Sequence, residues 1–412
     1  MVSKNFFKRR NYEDIQFLPN RGLMMLPLAT TTWDEKEYQS LQSVIDSGMF
    51  TMGKHVAQFE DEFAKFVNSK YCVMVNSGSS ANLLAVAAMF YREKNALKAG
   101  DEVIVPAVSW ATTYYPLHQY GLKLVFVDIN KETLNLDLTQ LESAITDKTR
   151  AIFAVNLLGN PIDYNELNRI IDGKEIAILE DNCESLGATF EGKQAGTFGL
   201  IGTYSSFFSH HISTMEGGLA VTNDEELYHI MLSLRAHGWT RNLPKENKVC
   251  TKSDNPFEES FRFVLPGYNL RPLDMSGALG SQQLKKLPSI IEGRRKNAKV
   301  FQTIFGKIEG ISIQQEVGNS SWFGFALLVK SGKDKRNELV SALMSKGVDC
   351  RPIVAGNFAR NDVVKYFNYE IVGNLNNSDE ISDTGLFIGN HHYDIENELV
   401  EIANIIQSLL SN

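Results

Sequence analysis

Between about residue 70 and residue 223 the chain alternates short apolar runs with longer periodic stretches, and this alternation narrows the folds open to it more than any other feature. The runs lie at 71–75, 102–105, 122–128, 151–156, 175–180 and 202–208. Several are nearly continuous in Val, Ile and Leu, the pattern of strands buried on both faces. The intervening stretch 80–92 places Leu83, Leu84, Val86, Ala87 and Phe90 on one helical face. The alternation predicts an α/β fold with a mainly parallel sheet covered on both sides. After about residue 270 the pattern changes. A long helix is predicted over 273–308, interrupted near Pro288, because proline lacks the N–H that an inner helical turn needs. A strand at 321–329, an amphipathic helix at 333–346, a Gly/Asn-rich segment at 373–377 and a helix at 395–410 follow. The organisation expected is an N-terminal extension over 1–24, a large domain over 25–270 and a smaller α+β domain over 271–412.

Composition excludes several classes. The 412 residues, 43% hydrophobic and 22% charged, are those of a globular protein with length enough for two domains. The net charge of -8 argues against a nucleic-acid partner, which selects clustered positive charge. No apolar run reaches the roughly 18 residues of a membrane span, and MVSKNFFKRR lacks the apolar stretch of a signal peptide. Cys72, Cys183, Cys250 and Cys350 are far apart, so the sequence predicts neither a disulfide framework nor a zinc site, and a reducing, cytoplasmic setting.

Four motifs carry chemistry. In VNSGSSANLLA (75–85) a strand runs through small residues into a helix. The N–H groups of Gly78, Ser79 and Ser80 there suit a phosphate, although an ordinary capped helix reads the same way. In PAVSWATTYY (106–115), Trp110 follows a strand end, where it either stacks on a flat ring or fills a core or interface. ILEDNCESLGA (178–188) turns abruptly from apolar to acidic. Its Asp181 falls at the C-terminal end of a parallel strand, the edge where open α/β sheets bind ligands, and either pairs with a protonated ring nitrogen or caps a helix. SSFFSHHISTMEGG (205–218) holds adjacent histidines, His210 and His211. In extended chain such neighbours point to opposite faces, so they are not expected to share one role.

In this order these stretches resemble the DegT/DnrJ/EryC1/StrS family of pyridoxal-phosphate-dependent sugar enzymes, over roughly residues 25–405. The runs TTWDEKEYQSLQSVIDSGMFTMGKHV, FRFVLPGYNLRPLDMSGALG, SSWFGF and CRPIVAGNF extend the likeness beyond the motifs. The resemblance implies a fold-type I, aspartate-aminotransferase-like α/β architecture and pyridoxal 5'-phosphate or its pyridoxamine form as cofactor. It implies a phosphate cup of Gly78, Ser79 and Ser205, Trp110 stacked on the cofactor ring and Asp181 on the ring nitrogen. Glu184 stands where aminotransferase relatives often have Gln beside the ring hydroxyl. Asn269, in PGYNLRP, matches a residue that reaches the neighbouring subunit's cofactor phosphate, which implies a homodimer with shared sites.

One departure decides the activity expected. The family lysine that binds the cofactor covalently is replaced by His210, six residues before Glu216. An imidazole cannot form that stable tether, but it can move protons near neutral pH. The resemblance is accordingly to members that dehydrate rather than aminate. It implies loss of the C3 hydroxyl from GDP-4-keto-6-deoxy-D-mannose, with L-glutamate as amine donor. Iron–sulfur-containing relatives carry clustered cysteines near the stretch that here reads HGWTRNLPKEN, which has none. One thiol, Cys183, cannot hold a cluster, so neither a cluster nor a reductase partner is expected.

Overall fold

The computed structural model describes residues 26–410, which leaves the extension predicted over 1–24 outside the described residues. In chain order the strands are β1 (Tyr71–Val75), β2 (Glu102–Pro106), β3 (Lys123–Val127), β4 (Thr149–Val155), β5 (Ala177–Asp181), β6 (Thr189–Phe190), β7 (Lys193–Gln194), β8 (Ile201–Ser205), β9 (Gly218–Thr222), β10 (Ile311–Ile313), β11 (Gly324–Val329), β12 (Cys350–Arg351), β13 (Tyr369–Ile371) and β14 (Gly385–Gly389). The helices are α1 (Glu35–Ser47), α2 (Lys54–Val67), α3 (Gly78–Met89), α4 (Ala111–Gln119), α5 (Leu138–Ala144), α6 (Tyr164–Ile171), α7 (Glu225–Arg235), α8 (Pro256–Glu259), α9 (Asp274–Phe305), α10 (Lys333–Ser345), α11 (Asn376–Thr384) and α12 (Glu396–Leu410).

The large sheet has the order β1-β9-β8-β5-β4-β2-β3-β13. Only β9 runs against the rest, pairing antiparallel with both β8 and β1. The C-terminal ends of β1, β2, β4, β5 and β8 therefore share one edge, and β9 starts there. This places residues far apart in sequence on one rim. One face of the sheet is covered by α3, α4 and α7, whose cluster includes Leu84, Leu117 and Leu234. The other is covered by α5 and α6 through Leu141 and Leu167. A second sheet, β10-β11-β14-β12, packs with α9, α10 and α12 around Phe301, Phe325 and Leu399. The chain crosses between these layers more than once: Leu26 packs in the second core, and β13 returns as the edge strand beside β3.

Two local expectations need correction. Helix α3 has no single apolar stripe. Residues Leu84–Met89 are all buried, while Leu83 and Phe90 are only partly so, because the helix lies between the sheet, α4 and α7. Nor does Pro288 interrupt the long helix; α9 runs unbroken through it. Proline forfeits one hydrogen bond, and the contacts of α9 with α1 and α2 outweigh that loss.

The α2–α9 contact is unusually close. Gly53, at the α2 N-cap, has no side chain to offer, and the Asp274 carboxylate at the start of α9 takes over that role. Its Oδ1 accepts the N–H groups of Gly53 (2.9 Å), His55 (3.1 Å) and Val56 (3.1 Å). One turn on, a Cβ added at Gly277 would lie 2.5 Å from the Val56 nitrogen. A glycine-to-alanine change inside a helix ordinarily stabilises it by about 1 kcal/mol. Here the clash is with backbone, so Gly277→Ala is expected to destabilise the fold by about 1–3 kcal/mol. Thermal denaturation of the variant beside the parent checks the sign.

Candidate active site

The shared rim of the large sheet encloses a cavity of ≈ 380 Å³ lined by all four motifs. Its floor is Asp181, the last residue of β5 and nearly fully buried. A carboxylate so placed needs donors. Its Oδ2 accepts from Asn82 Nδ2 (2.8 Å) and Thr113 Oγ1 (2.7 Å), and its Oδ1 accepts the Cys183 N–H (3.2 Å). Asn82 is oriented in turn by Thr203, whose hydroxyl donates to its Oδ1 at 2.6 Å. With Oδ2 doubly occupied, Oδ1 keeps acceptor capacity for a group in the cavity.

At the start of α3, Ser77 caps the helix by accepting the Ser80 N–H (3.1 Å), so that Ser80, contrary to the sequence expectation, is already satisfied and the first-turn N–H groups of Gly78 and Ser79 are left for an anion. Ser205, at the end of β8, closes this cup. A Cβ on Gly78 would stand 2.7 Å from Ser205 Cβ and 3.0 Å from Cys183 Sγ, so a side chain at 78 would fill the space. Ser79 Oγ donates to Thr112 Oγ1 (3.1 Å). Trp110, at the N-cap of α4, is 57% exposed and contributes a flat wall to the cavity.

Glu184 lines the opposite side, with Oε2 accepting the Leu158 N–H at 3.0 Å. Leu158 holds the left-handed backbone (φ 53°) that aims this N–H. Burial pushes the Glu184 carboxyl up to about 7; the Leu158 bond opposes the rise, and the Asp181 charge adds to it.

His210 lies beyond β8 in a turn, its N–H donating to Phe207 O (2.9 Å). Its ring lines the cavity between Phe207 and Phe323, at centroid distances of 6.0 and 5.1 Å. Nδ1 is buried without a partner, so Nε2 is the nitrogen turned to the cavity. Burial, and then the Arg294 charge, lower this imidazole from 6.5 to about 4, so it is neutral near pH 7. His211 has a different role. It is buried outside the cavity and donates from Nε2 to the Ser321 carbonyl at 3.1 Å. The two rings part company as the sequence predicts, but a turn separates them, not the extended chain on which that expectation rested.

Six of the predicted residues beside His210 meet in the cavity: Gly78, Ser79, Trp110, Asp181, Glu184 and Ser205. Asn269 does not. It is exposed, is not among the residues that line its own chain's cavity, and accepts from Arg271 Nε at 3.0 Å. Sequence reasoning missed Asn82 and Thr113, the donors that hold Asp181. The available signal was a polar residue on the buried side of each helix.

The DegT/DnrJ/EryC1/StrS aminotransferase family model matches residues 31–409. The chain belongs to this family. It is 60% identical over 388 residues to the GDP-4-keto-6-deoxy-D-mannose 3-dehydratase of Yersinia pseudotuberculosis, which covers 93% of this chain and 99% of that protein. It is 58% identical over 384 residues to the enzyme of the same name from Escherichia coli O55:H7, covering 92% and 99% of the two chains. A crystal structure of GDP-4-keto-6-deoxymannose-3-dehydratase with a trapped PLP–glutamate geminal diamine superposes with a TM-score of 0.91 at 58% identity, covering 92% of this chain and 100% of that one.

The cavity fits pyridoxal phosphate, the family's cofactor, on its own chemistry. The glycine cradle with its orphan N–H donors suits a phosphate, the open face of Trp110 suits a flat ring, and Asp181 Oδ1 suits a protonated ring nitrogen. Among the described residues, none of those lining the cavity is a lysine.

The Glu184 shift has a consequence for stability. Between 4.5 and about 7 the folded protein holds a proton that the unfolded chain has released, so this group's contribution falls as pH rises across that window and is flat above it. Glu184→Gln removes the dependence. Its melting temperature relative to the parent should rise from pH 5 to pH 8; a constant difference would show that the carboxyl titrates normally.

Proposed function

We propose that the chain removes the C3 hydroxyl of GDP-4-keto-6-deoxy-D-mannose to give GDP-4-keto-3,6-dideoxy-D-mannose. L-Glutamate serves as amine donor, and 2-oxoglutarate and ammonia are released. The atoms balance: the oxygen lost by the sugar equals the oxygen gained as glutamate becomes 2-oxoglutarate and ammonia. The observation that carries the reading is His210, placed with Nε2 toward a cavity that no lysine lines. An aminotransferase of this family relies on a lysine amine at that place; a neutral imidazole serves elimination.

Pyridoxal phosphate, in the amine form that glutamate generates, supplies when bound the amino group and electron sink that weaken the C3–O bond. Gly78, Ser79 and Ser205 would hold its phosphate, Trp110 its ring face and Asp181 its ring nitrogen, without a covalent tether. Asp181 Oδ1 would accept a hydrogen bond from that nitrogen and so favour its protonated form. His210 takes up a proton at Nε2, and the imidazolium so formed donates it to the departing hydroxyl, which leaves as water. The low proton affinity of the buried ring favours this second transfer. Glu184, near its midpoint at neutral pH, can accept or donate a hydrogen bond at the opposite wall.

We further infer a homodimer. Asn269 stands exposed outside its own cavity, where it is free to reach a neighbouring copy's cofactor phosphate. The same excursion of the chain exposes Phe257 (87%), Phe261 (70%) and Phe263 (54%), aromatic surface suited to burial against a second copy.

The test is product analysis. With pyridoxal phosphate and L-glutamate, GDP-4-keto-6-deoxy-D-mannose should become a nucleotide sugar one oxygen atom lighter, with stoichiometric 2-oxoglutarate; an aminated sugar would overturn the reading. His210→Asn should lower the rate by about 10²–10⁴-fold while the fold persists, whereas a more damaging His211→Asn would exchange the two roles.

A further inference from the structure

The cavity wall at His210 is backed by the second layer of the protein. Arg294 and Arg295, consecutive residues of α9, catch the segment 319–323 by its carbonyls. Arg294 Nη1 donates to Phe323 O (3.0 Å) and more weakly to Trp322 O (3.4 Å). Arg295 donates to Ser320 O (2.9 Å) and Asn319 O (3.1 Å). Asn390 adds a bond to Trp322 O (2.9 Å). Trp322 lies in the left-handed region (φ 48°), a conformation that these contacts on its carbonyl help to hold. The held segment touches both histidines: Ser321 O accepts from His211, and the Phe323 ring stands 5.1 Å from His210 and 5.7 Å from His211.

Arg294 is the unusual member. Its side chain is almost wholly buried, yet no carboxylate among the described residues lies within ion-pair distance, and its Nε has no acceptor. A buried guanidinium satisfied only by carbonyls keeps its full charge, and burying it is costly. That charge faces four imidazoles, those of His210, His211, His391 and His392, and opposes protonation of all of them. The other ionisable groups around His210 are His211 and Glu216 on its own segment, Asp181 at the end of β5 and Glu184 just past it, and Arg295 on α9 behind His211. Burial is the larger cause that holds His210 neutral, and the Arg294 charge adds to it.

We propose that Arg294 is a positioning residue for the reaction: from α9 it secures the segment that backs His210, and it places a buried, unpaired positive charge behind that ring. The inference rests on the reading of His210 as the proton carrier. It gives the buried cation a purpose that packing does not. A hydrophobic side chain of similar size would fill the space without the desolvation cost, but it would neither hold the carbonyls of 322 and 323 nor place a charge behind the ring.

The experiment is the pH dependence of diethylpyrocarbonate modification, which reports neutral imidazole, followed at the His210 peptide by mass spectrometry on the full-length protein. In the parent the midpoint should lie at least about one unit below the ordinary value of about 6.5. Arg294→Gln, which keeps an amide donor for the carbonyls but no charge, should raise the midpoint by about one unit. The acid limb of the dehydration pH profile should move upward with it, while Arg294→Lys keeps both near the parent values. A parent midpoint at the ordinary value, or one unmoved in folded Arg294→Gln, overturns the inference. If Arg294→Gln does not fold, the parent midpoint decides. If instead His210→Asn still dehydrates, the proton-carrier reading fails while the Arg294-dependent midpoint stands, so the two failures are distinguishable.

Discussion

Everything in the site is arranged around one buried carboxylate. Asp181 lies where β5 runs out of ladder partners, and hydrogen bonds to a charged acceptor contribute about 1.5–3 kcal/mol each. The donors it recruits, Asn82 and Thr113, belong to α3 and α4. Those helices begin at the same rim with Ser77–Gly78 and Trp110, so holding Asp181 also fixes the anion cup and the aromatic wall in register. Parallel strand direction is the deeper cause. Because only β9 runs backwards, the ends of β1, β2, β5 and β8 meet, and residues 78, 110, 181 and 205 become neighbours.

The opposite wall depends on the second layer. Leu158 and Gly159 pair by backbone with the segment 321–323: Ser321 N–H donates to Gly159 O (2.9 Å), and Phe323 N–H to Leu158 O (3.0 Å). A Cβ at Gly159 would lie 2.5 Å from the Trp322 nitrogen, so this contact needs glycine. One side of the seam aims the Leu158 N–H at Glu184, and the other backs His210 with Phe323. Both titratable groups of this wall are thus positioned from outside the large sheet. The two are shifted in opposite senses, Glu184 upward and His210 downward, because burial penalises whichever form carries charge.

Much of this was legible in the sequence because it is local. A strand running into small residues or an acidic residue marks a sheet rim, and Gly78 and Asp181 could be read that way, whereas Ser205, inside the run expected at 202–208, came only with the family resemblance. The family lysine's replacement by His210 was visible by counting from Glu216. What escaped reading is non-local. Asn82 and Thr113 look like ordinary helix residues until α3 and α4 are packed over β5. Arg294 looks like a surface charge in a long helix until segment 319–323 covers it. Pro288 reads as a breaker because sequence shows its missing donor, whereas the packing of α9 against α1 and α2 comes from residues far away in the chain.

The central claim is that this site holds its cofactor through Asp181, Trp110 and the anion cup, with His210 free to move protons. The most direct measurement is the intact mass of the protein after one equivalent of pyridoxal phosphate and borohydride reduction, with cofactor occupancy followed by absorbance beforehand. The account predicts a cofactor that is bound yet leaves the protein mass unchanged. A stoichiometric gain of the reduced cofactor on any lysine would contradict it.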